Sequence, residues 1–256
     1  MIGLLRAEVL KLVKRRLYWV MVLIFAAVMG LVAVLLLLLP SISPDALPGF
    51  SGIDKPEAYT FGAAQALGQT WFPVVLAVVL LGGETGTSIW AFSLTLESRR
   101  WLHLLAKTIV TTVAAWLATL AAIAGWALVA FLFAEGSGSP PVSEWLAVVW
   151  KSGLTEFTWV ALAFAATGLF RSIGPAIGVA LAFAFGEGIL ALWRPWQQVS
   201  LSLASSRLVG DFGDISGGIG VGFSGAISFG HALVVVLGWA VAGVGLAVVG
   251  LQVRDP

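Results

Sequence analysis

Long apolar runs dominate the chain and are separated by short polar stretches. Residues 17–39 carry no charge, and neither do 61–83 or 108–134. The run 145–170 is apolar apart from Lys151 and Glu156, and 172–193 apart from Glu187. A sixth run covers 232–251. A helix needs roughly 20 apolar residues to cross about 30 Å of hydrocarbon, and each run reaches that length. The runs are continuous and do not alternate over about ten residues, as barrel strands would. The pattern predicts an all-α integral membrane protein, 1–256 a single transmembrane domain with six transmembrane helices.

The stretches between the runs have patterns of their own. At 100° per residue, Ile2, Leu5, Val9, Leu12 and Val13 gather on one side of 1–16, with Glu8, Lys11, Lys14 and Arg15 opposite. This predicts an amphipathic helix lying in the headgroup layer before the first span. The segment 84–107 holds Ile89, Trp90, Phe92, Leu94 and Leu96, more apolar surface than a bare loop shows, so a helix with a protein partner is expected there. The segment 194–230 is long for a connector and rich in glycine, and is expected to include a re-entrant element. The stretch 40–60 holds four prolines and should be irregular. The apolar run 17–39 exceeds the usual 7–15 residues of a signal-peptide core, and Pro40-Ser41-Ile42 is no cleavage site, so 17–39 reads as a span.

Charge orients this layout. Ten of the 14 Lys and Arg fall on one face if the N-terminus is inside: Arg6, Lys11, Lys14, Arg15, Arg16, Arg99, Arg100, Lys107, Arg171 and Arg254. The positive-inside rule then places both termini in the cytoplasm and 194–230 outside. Composition narrows the function. The chain is 59% hydrophobic and 11% charged, with a mean hydropathy of +1.00, against about 25% charged residues in an ordinary soluble domain. The net charge of +1 argues against a nucleic-acid partner. With no cysteine and two histidines, thiol chemistry is excluded and a metal site is not expected.

Few motifs carry chemistry. The five lysines are followed by Leu, Arg, Pro, Thr and Ser, and neither Lys107-Thr108 nor Lys151-Ser152 has the glycine frame of a phosphate-binding loop. The chain is therefore expected to be no enzyme and to hold no cofactor of its own. GFSG occurs at 49–52 and 222–225 and reads as turn glycines with a serine. Gly174 and Gly178 form a small-xxx-small pair that permits close helix contact. Glu156 and Glu187 are the sharpest signal, because charged groups inside a span cost at least about 2.5 kcal/mol and mark function by default. Counted from the turn at Arg171-Ser172, each lies 15 residues away, so both sit about 22 Å from that turn. They share one depth, as a polar cavity on a transport route or as a wet outer vestibule, with Lys151 nearby as a counter-charge.

The basic N-terminal segment LLRAEVLKLVKRRLYWV, the six spans, the Glu-Thr-Gly-Thr run from Glu84 and the ending SRRWLHLLAK together resemble the ABC-2 type permeases, membrane subunits of bacterial ABC transporters. Glu97 stands where that family often has a proline before the serine. The resemblance implies a coupling helix after Glu84, with Glu84, Thr87, Trp90, Phe92, Leu94, Arg99 and Arg100 as contacts to a cytosolic ATPase. It further implies two ATPase copies holding ATP and Mg, a second permease subunit, and residence in the bacterial cytoplasmic membrane as an exporter. The competing expectation is a proton-coupled secondary transporter using Glu156 and Glu187, with Lys151 beside the route.

Overall fold

The computed structural model describes residues 2–42, 54–85, 100–170, 172–190, 193–209 and 227–252. About 90% of these are helical and none lies in a strand. In chain order the helices are α1 (Ile2–Lys14), α2 (Arg16–Ile42), α3 (Lys55–Gly68), α4 (Trp71–Thr85), α5 (Arg100–Phe133), α6 (Val142–Phe170), α7 (Ile173–Leu190), α8 (Arg194–Gln197), α9 (Leu201–Val209) and α10 (Phe229–Gln252). Among the described residues five helical stretches are long and apolar enough to cross a membrane: α2, α3 with α4, α5, α6 and α10. The chain is a multi-pass membrane protein.

The second expected span differs in its start and continuity from the sequence reading. The second crossing begins at Lys55, not at residue 61. Asp54 caps α3 by accepting the Glu57 N–H at 3.0 Å, and Pro56 sits in its first turn, where a missing N–H costs nothing. The helix therefore starts inside the proline-rich stretch expected to be irregular. It breaks in its middle, where Gln69 N–H bonds Ala66 O at 3.4 Å, Thr70 N–H bonds Gly68 O at 2.9 Å and Phe72 N–H bonds Gln69 O at 3.2 Å. Pro73 has no N–H to return to Gln69, so the regular ladder cannot pass. The fifth expected span corresponds to α7, which has 18 residues, with an apolar stretch over Ile173–Glu187 that is shorter than the five above. α7 runs over Ile173–Leu190, inside the expected 172–193 span, and follows α6, which ends at Phe170.

α6 is the most buried of the long helices and packs along α10 over their largest shared surface. Glycine makes that seam close. A Cβ on Gly243 would lie 2.9 Å from the Ala161 backbone, and one on Gly250 would lie 2.8 Å from Gly168. Gly174 and Gly178, by contrast, meet nothing within 4 Å in this chain. α5 packs on α2, α3 and α6. Its Trp126 fills the space over Gly62, where any side chain would collide with the indole, and donates to Ala58 O at 3.1 Å. The connection from α5 to α6 turns through Gly136 and Gly138, both at positive φ, a backbone region open to glycine.

Candidate functional site

Two polar groups stand out within the apolar bundle. The first lies at the end where α1, α4 and α5 meet. Glu84, near the end of α4, is 2% exposed, and Lys107 in α5 is 4% exposed. Lys107 Nζ lies 2.7 Å from Glu84 and 2.8 Å from Glu8. Arg15 donates to Glu84 at 2.7 Å, and Lys11 lies 2.6 Å from Glu8 and 3.8 Å from Glu84. Two buried acids and one buried lysine are thus tied to two partly exposed bases, Lys11 of α1 and Arg15 just after it. Burial alone would raise the Glu8 pKa. The positive charge and hydrogen bond of Lys107, aided by Lys11, outweigh it and hold the carboxyl below its usual range.

This arrangement shows which part of the N-terminal segment meets the bundle. Glu8, Lys11 and Arg15 turn towards the bundle, with Leu12, whereas Val9 and Val13 are exposed. Helical periodicity finds the two sides but does not say which one meets a partner. The buried carboxylate of Glu84 and the ammonium of Lys107 select the charged side, since each would be costly without an opposite charge. Among the described residues Glu84 pairs with Arg15, Lys107 and Lys11, while Arg99, which the sequence offers as a partner, lies outside them. Thr87, Trp90, Phe92, Leu94 and Arg99 lie outside the described residues, and Arg100 opens α5.

The second polar group is the pair of intramembrane acids, and the structure bonds them to different elements. Glu156 in α6 accepts the Thr119 hydroxyl of α5 at 2.6 Å, and its other oxygen is buried without a partner. Glu187 in α7 accepts the Leu201 N–H, the Ser202 N–H at 3.1 Å and the Ser202 hydroxyl at 2.8 Å. It therefore caps the start of α9, where unpaired N–H groups and the helix dipole favour an anion. α9 in turn packs on α10 and α6 and touches α3 and α7, with Leu201, Ala204 and Leu208 fully buried. Arg207 donates to Ile227 O at 3.3 Å, and Trp239 of α10 donates to Val199 O at 2.7 Å. The short helix is thus pinned at both ends. Equal depth along two helices says nothing about which way each side chain points, and the two acids bond different elements, Glu156 to α5 and Glu187 to α9.

Lys151 is buried, with its ammonium 5.4 Å from the centre of the Phe229 ring in α10. That contact places it on the α10 side. Five residues put Lys151 and Glu156 about 140° apart around the helix. Among the described residues no group of His, Asp or Glu is placed to hold a metal ion.

The acid cap of α9 was legible only in part. Ser200 and Ser202 flank the start of a periodic apolar stretch, a local capping signal. The carboxylate that completes it lies 14 residues upstream of Leu201, beyond any local motif. No protein-family model matches this chain, and no curated protein matches it.

Proposed function

We propose that this chain is the membrane-spanning permease subunit of an ATP-driven exporter, coupled to a separate cytosolic ATPase. The supporting observation is that both feet of the 84–107 segment are fastened to one another and to α1. Glu84 and Lys107 are 2.7 Å apart; Glu8 of α1 reaches Lys107, and Arg15, in the joint between α1 and α2, reaches Glu84. A force applied to the segment between them would move α1, α4 and α5 as one unit. An external motor needs such a handle, because a span can answer only to what it is rigidly joined to. In this reading the segment is the coupling helix, α7 completes a sixth crossing, both termini are cytoplasmic, and two such subunits enclose the route in the bacterial cytoplasmic membrane. Two ATPase copies bind ATP and Mg.

The test is reconstitution of this chain with a candidate ATPase carrying a phosphate-binding loop. Co-purification and substrate-stimulated ATP hydrolysis are expected. Replacing Phe92 and Leu94 by Asp should return hydrolysis to the rate of the ATPase alone, while the variant still inserts into the membrane. Unchanged stimulation would remove the coupling assignment.

A proton-coupled secondary transporter is the second reading, favoured by the buried, unpartnered oxygen of Glu156. It loses its second acid, since both oxygens of Glu187 are spent on α9. Transport in liposomes driven by a pH gradient without ATP, and lost in Glu156→Gln, would establish it in place of the first.

A further inference from the structure

α1 presents three sides. Leu5, Glu8, Lys11, Leu12 and Arg15 face the bundle. Beside them runs an apolar stripe of Ile2, Val9 and Val13, which are 84%, 45% and 50% exposed. The third side carries Arg6 and Lys14 with the exposed Leu10 between them, and Arg16 follows at the start of α2, all three bases exposed. The single acid of α1, Glu8, is buried and spent on Lys107 and Lys11. Among the described residues none of Arg6, Lys14 and Arg16 makes an ion pair.

A helix with an exposed apolar stripe beside a row of bases lies along a bilayer surface, its apolar side in the acyl boundary. Trp19 marks the same level: it is 49% exposed, and its indole N–H is given to Val13 O at 2.9 Å. Held there by the ion pairs beneath it, α1 and the first residue of α2 keep at headgroup depth three cations that pair with no acid among the described residues. Each base near an anionic surface is worth about 1 kcal/mol, a factor of about 5 in binding, and a zwitterionic surface offers no such gain. We propose that α1 is a docking surface for anionic phospholipid, with Arg6, Lys14 and Arg16 taking the headgroups. Such docking is independent of any ATPase.

The chain has no cysteine, so one label can be placed alone. Gly3 is on the basic side, and a side chain there meets nothing within 4 Å. A fluorophore on Gly3→Cys is read in nanodiscs of phosphatidylcholine doped with spin-labelled phosphatidylglycerol or spin-labelled phosphatidylcholine. Half-quenching is expected at a mole fraction of labelled phosphatidylglycerol about tenfold lower than of labelled phosphatidylcholine, three screened bases falling short of their full product. The preference should vanish in Arg6→Gln/Lys14→Gln/Arg16→Gln and at molar salt. It should persist in Arg6→Lys/Lys14→Arg/Arg16→Lys, which keeps the charge and controls for folding. Equal quenching by the two lipids would overturn the proposal, as would a preference that survives in the neutral variant. Abolition of the preference by soluble glycerol phosphate would also overturn it, since the bases would then be taking a free anion.

Discussion

Lys107 lies between two carboxylates, and the cost of removing it follows from that position. Lys107→Met leaves Glu8 and Glu84 buried, with no cation between oxygens that each now touch its ammonium. Breaking a buried ion pair from one side costs about 3–5 kcal/mol, because the remaining charge stays desolvated. Arg15 and Lys11 still reach Glu84 and Glu8, so the lower end, about 3 kcal/mol, is expected in denaturant unfolding in mixed micelles. Adding Glu8→Gln and Glu84→Gln to Lys107→Met should recover most of the loss. A triple variant as unstable as the single one would show that shape, not charge, sets the cost. Glu84 was legible as the start of a functional segment, but its partners were not. Arg15 is 69 residues away and Lys107 is 23, and nothing local in the chain announces either contact.

At the scale of elements, two short-range facts decide the packing. Gly243 and Gly250 let α10 lie against α6 with backbones in contact, so Gly243→Ala should destabilise the protein by about 1–3 kcal/mol. Gly238, in the same helix but facing open space, is the control. Gly238→Ala should be neutral or up to about 1 kcal/mol stabilising, as helix propensity alone dictates. Equal effects at the two sites in the same unfolding assay would show that the seam is not tight. α9 depends on its cap in the same way. Glu187→Ala should release its first turn at a cost of about 0.5–2 kcal/mol, and Glu187→Gln should cost less, since the amide still offers an acceptor. Labelling of a Cys at Ser206 by a water-soluble maleimide measures this, and the rate should rise in the order wild type, Gln, Ala. No change in Glu187→Ala would separate the acid from α9. The apolar helices were legible because lipid imposes a simple length rule, whereas the break at Gln69 was not: Gln65, Gln69 and Pro73 were visible, but an isolated proline in a span is often absorbed.

The whole molecule turns on whether α7 crosses the membrane. Six crossings put the two termini on one side and five put them on opposite sides. The distribution of bases favours six with both termini inside. Single cysteines at Gly3 and Ser172 should then be labelled only from the cytoplasmic face, and cysteines at Gln198 and position 215 only from outside. Positions 172 and 198 labelled from the same side would reduce the count to five. Composition and periodicity by themselves determined that this is a multi-pass helical membrane protein with a basic amphipathic N-terminal helix. Those properties depend on local residue type and on a solvent that tolerates only internally bonded backbone. Only the tertiary structure decided which face of α1 meets the bundle, that Glu84 answers to Arg15 and Lys107, and that Glu187 caps a helix while Glu156 bonds Thr119. The physical reason is that each of these is a long-range pairing of buried charge or polar atoms. Such a pairing is selected by the desolvation cost of every alternative partner, and that cost exists only once the helices have packed.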